Sequence, residues 1–220
     1  MSRQIVIRVV AAIVVGVFSG GAWVQSGKLD IGWLRYFSAA VFIATVVISI
    51  WDLWLWRIPP IQRIPNVPRN IRGTWKGQLD SLWVDPGTAT KRDPKCAFLV
   101  VRQTASIISA RLLTNESQST SSLAAMSFTD GTAVLEFMYL NRPKVHFEDR
   151  SRMHHGSTVL QVTGNPAERL EGRYWTDRDT RGSLFFDKRV RKAADDYLAA
   201  QDIHAQDEAK TQEKKAKKQT

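Results

Sequence analysis

Tyr174, Thr176 and Arg178 stand two residues apart in Leu170-Glu171-Gly172-Arg173-Tyr174-Trp175-Thr176-Asp177-Arg178, so an extended chain projects them from one face. An aromatic ring stacks on a base, a hydroxyl reads a base edge or ribose, and a guanidinium holds phosphate by paired hydrogen bonds. The trio suits a nucleotide. Tyr139, Asn141 and Arg142, followed by Pro143, repeat that chemistry at the end of another run. The alternative for both tyrosines is core filling with the hydroxyls at the rim. A third set comes from Glu116-Ser117-Gln118-Ser119-Thr120-Ser121-Ser122, which is polar on both faces. Ser117, Ser119 and Ser121 would offer donors and acceptors to a ligand in a wet cavity, or to solvent if the strand is an exposed edge.

Catalytic constellations are absent by spacing. His146, His154 and His155 lack the Cys or acidic partners of a metal site, and neither a glycine-rich phosphate loop nor a Gly-x-Ser-x-Gly elbow occurs. No enzyme, metal or cofactor is therefore expected. The 31 Lys and Arg against 21 Asp and Glu favour an anionic partner, or alternatively a domain held against anionic lipid. The single Cys96 excludes an intrachain disulfide, and its neighbours Ala97, Phe98 and Leu99 suggest a buried position in a reduced cytosol.

These groups need a scaffold, and residues 73–190 supply one in eight runs rich in β-branched and aromatic residues. The runs are 74–84, 96–103, 106–113, 117–128, 132–140, 155–163, 169–176 and 182–188, joined mainly by turn signals such as Asp85-Pro86-Gly87, Asp130-Gly131 and Gly164-Asn165-Pro166. The fold class expected is all-β, an up-and-down barrel of about eight strands, a number that closes around a small ligand. Trp75, Gly77, Leu79, Ser81 and Trp83 share one face and Lys76, Gln78 and Asp80 the other, so one side must be a core. The continuous apolar run 97–101 and the mixed run 134–139 suggest strands covered on both faces by the connector, the C-terminal helix or another subunit.

The first 56 residues carry two apolar stretches, 5–24 and 34–56, each near the roughly 20 residues that cross a bilayer. Arg8 sits where it can snorkel, and Asp52 lies among Trp51, Trp54 and Trp56 at an interfacial belt. A cleaved signal peptide is the alternative for the first stretch. Arg3 and Arg8 before the first span, and Arg57, Arg63, Arg69 and Arg72 after the second, outweigh Lys28 and Arg35 beside Asp30 in the hairpin around Gly27, so both termini should face the cytoplasm. Residues 57–72, with Pro59, Pro60, Pro65 and Pro68, should form a stiff extended connector, and 191–220 a charged tail, helical and then disordered.

The chain resembles the two-transmembrane β-barrel effectors of bacterial cyclic-oligonucleotide-based anti-phage signalling systems (CBASS), the membrane effectors associated with CD-NTases. The resemblance rests on the hairpin of spans, the proline-rich connector, Gly73-Thr74-Trp75-Lys76-Gly77, Gln103-Thr104, Glu116-Ser117-Gln118-Ser119, Tyr139-Leu140-Asn141-Arg142-Pro143, His155-Gly156 and 170–178 with Gly182. The charged tail lies outside it. It implies a cyclic dinucleotide made by a cognate CD-NTase, entering the barrel and driving homo-oligomerisation of the spans, inner-membrane disruption and abortive infection, with no DNA or RNA polymer involved. The ligand site it implies comprises Ser117, Ser119, Tyr139, Asn141, Arg142, His155, Tyr174, Thr176 and Arg178. Two other functions compete. Gly73-Thr74-Trp75 also resembles the start of lipocalin-like barrels that carry apolar ligands, and the barrel could be a protein-interaction module without a small ligand.

Overall fold

The computed structural model describes residues 3–24, 33–65, 67–85, 87–149 and 151–219. Gly27, Lys28, Asp30 and Pro86 lie outside the described residues. The chain divides into two compact units, Met1–Pro68 with Thr104–Ser106, and Arg69–Gln103 with Ile107–Thr220.

The first unit contains helices α1 (Arg3–Val24) and α2 (Trp33–Leu53). Gly21 has no side chain, so the ring of Tyr36 lies directly against its backbone. Ala40 and Ala44, one turn apart on α2, are buried. Among the described residues one helical stretch, Arg35–Arg57, is long and apolar enough to cross a membrane, whereas the apolar part of α1 is the shorter Val9–Gly21. The expected pair of spans is thus matched by one candidate. The proline-rich stretch differs from the extended connector expected. It folds into 3-10 turns at Leu55–Arg57 and Ile61–Arg63 around the buried Trp56, which packs with Val67 and Ala105. Proline's fixed φ suits such turns as well as extended chain, and the indole burial decides between them. Gln62 Nε2 donates to the carbonyls of Trp56 and Pro68, closing the loop. Asp52 also differs from a charge that merely marks a boundary: its Oδ1 accepts from Thr104 Oγ1 at 3.1 Å and from the Ser106 N–H at 2.8 Å.

The second unit is a closed antiparallel barrel in which each strand pairs with its sequence neighbours and the last with the first. Its strands are β1 (Gly73–Ser81), β2 (Lys95–Gln103), β3 (Ile108–Leu113), β4 (Ser117–Thr129), β5 (Thr132–Pro143), β6 (His154–Thr163), β7 (Arg169–Thr176) and β8 (Arg181–Val190). Alternate residues face inward, and in one half of the barrel they are hydrocarbon: Trp75, Leu99, Leu135, Leu160, Leu170 and Phe186 are all but sealed from solvent. β4 would not serve both halves in a single register. A bulge between Ser121 and Leu123 shifts the alternation by one, so that Ser119 faces in at one end while Ala124, Met126 and Phe128 pack on the core at the other. Leu123 is thereby turned outward.

Residues 69–72 close the packed end. Gln103 accepts the Ile71 N–H and donates to the Arg69 carbonyl, Trp75 Nε1 donates to the Ile71 carbonyl at 2.8 Å, and Arg189 donates to the carbonyls of Asn70 and Arg72. The Arg189 guanidinium stands 5.3 Å from the Trp75 ring. Burial, with Arg191 nearby, lowers its pKa to about 10, which leaves it charged at neutral pH.

Helix α3 (Tyr197–Gln219) lies against the outside of β2 and β3, where Ala200 and Ile203 cover Phe98, Val100 and Leu113. This explains the continuous run 97–101: Ala97, Leu99 and Val101 face in, and Phe98 and Val100 face the helix. Cys96, expected to be buried, is exposed, because that same alternation turns it outward beyond the core of the helix contact.

His204 is 2% exposed in this contact, with Nε2 3.2 Å from the Thr74 carbonyl. Burial lowers its pKa, the Thr74 bond opposes that, Lys76 lowers it further, and Asp207 and Glu208 raise it. A histidine whose folded pKa is depressed binds fewer protons folded than released, so the stability it contributes is present above the unfolded value near 6.5 and is lost as pH falls through the lower folded value. Amide protection across 197–208, the observed exchange rate taken relative to the intrinsic one, should therefore be greater at about pH 7.5 than at about pH 5.5. In His204→Phe that difference should vanish.

Candidate functional site

The other half of the barrel holds a cavity of about 230 Å³. It lies at the strand ends bordered by residues 82–85, 87–94, 114–116, 144–149, 151–153 and 177–180, so loops and strand termini supply its rim. Pairing explains its floor. Ser119 pairs with Asn141, Tyr139 with Gly156, Gly156 with Thr176, and Tyr174 with Gly182. A Cβ on Gly156 would overlap the phenol of Tyr139, and one on Gly182 would crowd the ring of Tyr174. Each site tyrosine thus leans across a strand that has no side chain to lift it. Burial raises the pKa of both phenols, and each stays protonated as a hydrogen-bond donor at neutral pH; for Tyr139, the neighbouring Tyr174 and Asp177 add to the effect.

Asn141, 7% exposed, donates from Nδ2 to Ser117 Oγ at 3.0 Å and Ser119 Oγ at 2.8 Å. Its Oδ1 is buried without a hydrogen-bond partner among the described residues. A polar cluster with an unsatisfied acceptor is costly in a purely structural core, and here it borders the cavity.

The rim carries the cations Arg92, Lys95 and Arg178 together with the acids Asp93 and Glu116. Arg178 reaches from the β7–β8 turn, where its Nη1 donates to Ser151 Oγ at 3.1 Å and to the Arg152 carbonyl at 3.2 Å. Thr176 Oγ1 bonds Thr180 Oγ1 at 2.7 Å and accepts the Arg178 N–H, bracing that turn. Across the opening Arg92 lies 4.7 Å from the Trp83 ring, and Lys95 pairs with Glu116 at 2.6 Å. These donors suit an anionic group at the mouth, with aromatic and hydroxyl groups below it.

Of the nine residues expected, Ser117, Ser119, Tyr139, Asn141, Tyr174, Thr176 and Arg178 line the cavity. Arg142 and His155 are not brought there: both are exposed, one residue out of phase with Asn141 and Gly156. Strand alternation applied to Tyr139 and Asn141 excludes Arg142 from their face. Sequence reasoning missed Arg92, Asp93, Lys95, Glu116 and His154, which also line the cavity. For Lys95 a signal existed, since it precedes Ala97 and Leu99 on the inward phase of β2. For Arg92 none did, because its position depends on the path of a long loop.

Residues 65–188 match the family described as Cap15, cyclic dinucleotide receptor domain. The chain is also 28% identical over 155 residues to the CD-NTase-associated protein 15 of Staphylococcus schleiferi, covering 70% of this chain and 80% of that protein.

Proposed function

Because the chain belongs to the Cap15 cyclic dinucleotide receptor family, effectors of CD-NTase-based anti-phage defence, we propose that its polar cavity takes up the dinucleotide and that occupancy drives the chain to oligomerise and breach the inner membrane. The observation that carries this is the half-filled barrel: hydrocarbon at one end, and at the other a cavity with tyrosines and an asparagine–serine cluster, bordered by Arg92, Lys95 and Arg178 with Asp93 and Glu116. Tyr174 and Tyr139 offer stacking faces and hydroxyls, Ser117, Ser119, Asn141 and Thr176 read polar edges, and Arg178, joined by Arg92 and Lys95, meets phosphate. No catalytic step is assigned to the site. A lipocalin-like carrier of apolar ligands fits this lining poorly, since buried polar groups would lose water without gaining partners.

In this reading α1 and α2 both cross the inner membrane and leave the termini and barrel in the cytoplasm, as the arginine distribution favours. Gly16 and Gly20 support close helix association, because a Cβ at either position would meet nothing within 4 Å, so this face of α1 is open to another helix. A ligand shifts assembly only if it binds the associated state better.

The test is co-expression. Cells making the full-length protein with an active cognate synthase should lose membrane potential and viability, and cells with a catalytically dead synthase should grow normally. Equal toxicity in both would remove the nucleotide switch.

A further inference from the structure

The outer wall of the barrel has two unlike sides. Helix α3 covers the apolar side chains of β2 and β3, whereas on the opposite side the register lines up Leu123 of β4, Met138 of β5, Ser157 of β6 and Trp175 of β7 in one row across the strands. Leu123, Met138 and Trp175 are 65%, 54% and 46% exposed. Outward positions of a solvated barrel are ordinarily polar, and a row of exposed large apolar side chains marks an interaction surface.

The next outward row identifies the partner. It runs Glu136 of β5, Val159 of β6 and Arg173 of β7. Glu136 and Arg173 are both exposed, on opposite flanks of β6, and among the described residues no ion pair joins them to each other or to another side chain. A two-fold axis along β6 exchanges its flanks. A second copy docked about that axis sets Met138 against the partner's Trp175 and Glu136 against the partner's Arg173, twice over. The axis itself passes the small Ser157 and Val159, which let two convex walls approach. For the two rows nearest the axis one operation therefore pairs Met138 with Trp175 and acid with base, while Leu123, two strands away, comes opposite Arg181 of the partner subunit at the edge of the contact.

We propose that this outer face of β4 to β7 is the surface on which two copies of the barrel pair, with β6 on the two-fold axis. The inference rests on the reading of the chain as a self-assembling effector and names the surface that reading needs. The curvature of two barrels keeps the contact modest in area, so pairing depends on confinement in a membrane and on ligand rather than on this face alone.

Full-length protein in detergent micelles provides the test, alone and with c-di-AMP, c-di-GMP or c-di-UMP added. In a Cys96→Ser background, Ser157→Cys should form a disulfide-linked dimer under mild oxidation, while Asp187→Cys on the outer side of β8 should not. Glu136→Arg should weaken pairing at least about tenfold, since it opposes like charges at both symmetric contacts, and Glu136→Arg with Arg173→Glu should restore it. Restoration separates the contact from a folding defect. Cross-linking no stronger at Ser157 than at Asp187, or no rescue by the double reversal, overturns the surface. Calorimetry with the same nucleotides keeps the two readings apart: nucleotide binding without the cross-link removes this surface and leaves the receptor, whereas a cross-link without any nucleotide binding keeps the surface and removes the ligand switch.

Discussion

Replacing Arg178 with alanine is expected to weaken cyclic dinucleotide binding by about 10- to 100-fold, the range that follows from losing hydrogen bonds to a charged group. The expectation rests on placement. Arg178 is braced by Ser151 and by the Arg152 carbonyl through Nη1 alone, which holds the fork at the rim while its other donors point away from those bonds. Thr176 fixes the turn from which it rises. Arg178→Lys keeps the charge but loses the planar pair of donors, so it should recover only part of the affinity. Calorimetry at two salt concentrations separates the contributions. The alanine variant should show a shallower salt dependence than the parent, because one phosphate contact fewer is screened. Unchanged affinity in Arg178→Ala would place the phosphates elsewhere, with Arg92 and Lys95 as the remaining cations of the rim.

Replacing Trp75 with alanine should cost about 3–5 kcal/mol of stability, the range for removing a large aromatic from a packed core. Trp75 is fully buried, its Nε1 donates to the Ile71 carbonyl, and Arg189 rests on its ring. The truncation therefore opens a void, leaves a buried carbonyl without its donor and removes the platform beneath a partly buried guanidinium, effects that share atoms and do not add independently. Urea unfolding of the barrel, followed by tryptophan fluorescence from the remaining indoles, would read the loss as a lowered midpoint. Trp75→Phe keeps a ring under Arg189 and should cost markedly less. If both variants unfolded at the parent's midpoint, the packed end would not be where the barrel holds itself together.

These two residues also show where sequence suffices. Trp75, Gly77, Leu79, Ser81 and Trp83 were readable as one face of a strand because alternation has period two, and the burial of Trp75 identifies that face as the inward one. The same rule could have rejected Arg142 beside Asn141, and its neglect is why that expectation failed. Eight β-rich runs separated by turn signals prescribed a closed meander, since adjacent antiparallel strands joined by short turns have few other ways to satisfy their edges. Tyr139, Asn141, Tyr174 and Thr176 followed from that phase, and Arg178 from the turn just beyond it.

Tertiary structure decided the rest, for reasons that act at a distance along the chain. The bulge in β4 moved Leu123 to the outer wall, and one inserted residue inverts every face that follows it. Arg92 and Glu116 reached the rim through loop paths that no periodicity encodes. The prolines of 57–68 allowed either an extended strut or compact turns, and burial of Trp56 selected the turns. Residue types and alternation thus determined by themselves a barrel with a polar, nucleotide-suited set of side chains on its inner face. Which half of the interior stays open, which cations meet there, and which outer wall is left uncovered were fixed only when distant strands closed into register, because closure sets the neighbours of each side chain and local spacing does not.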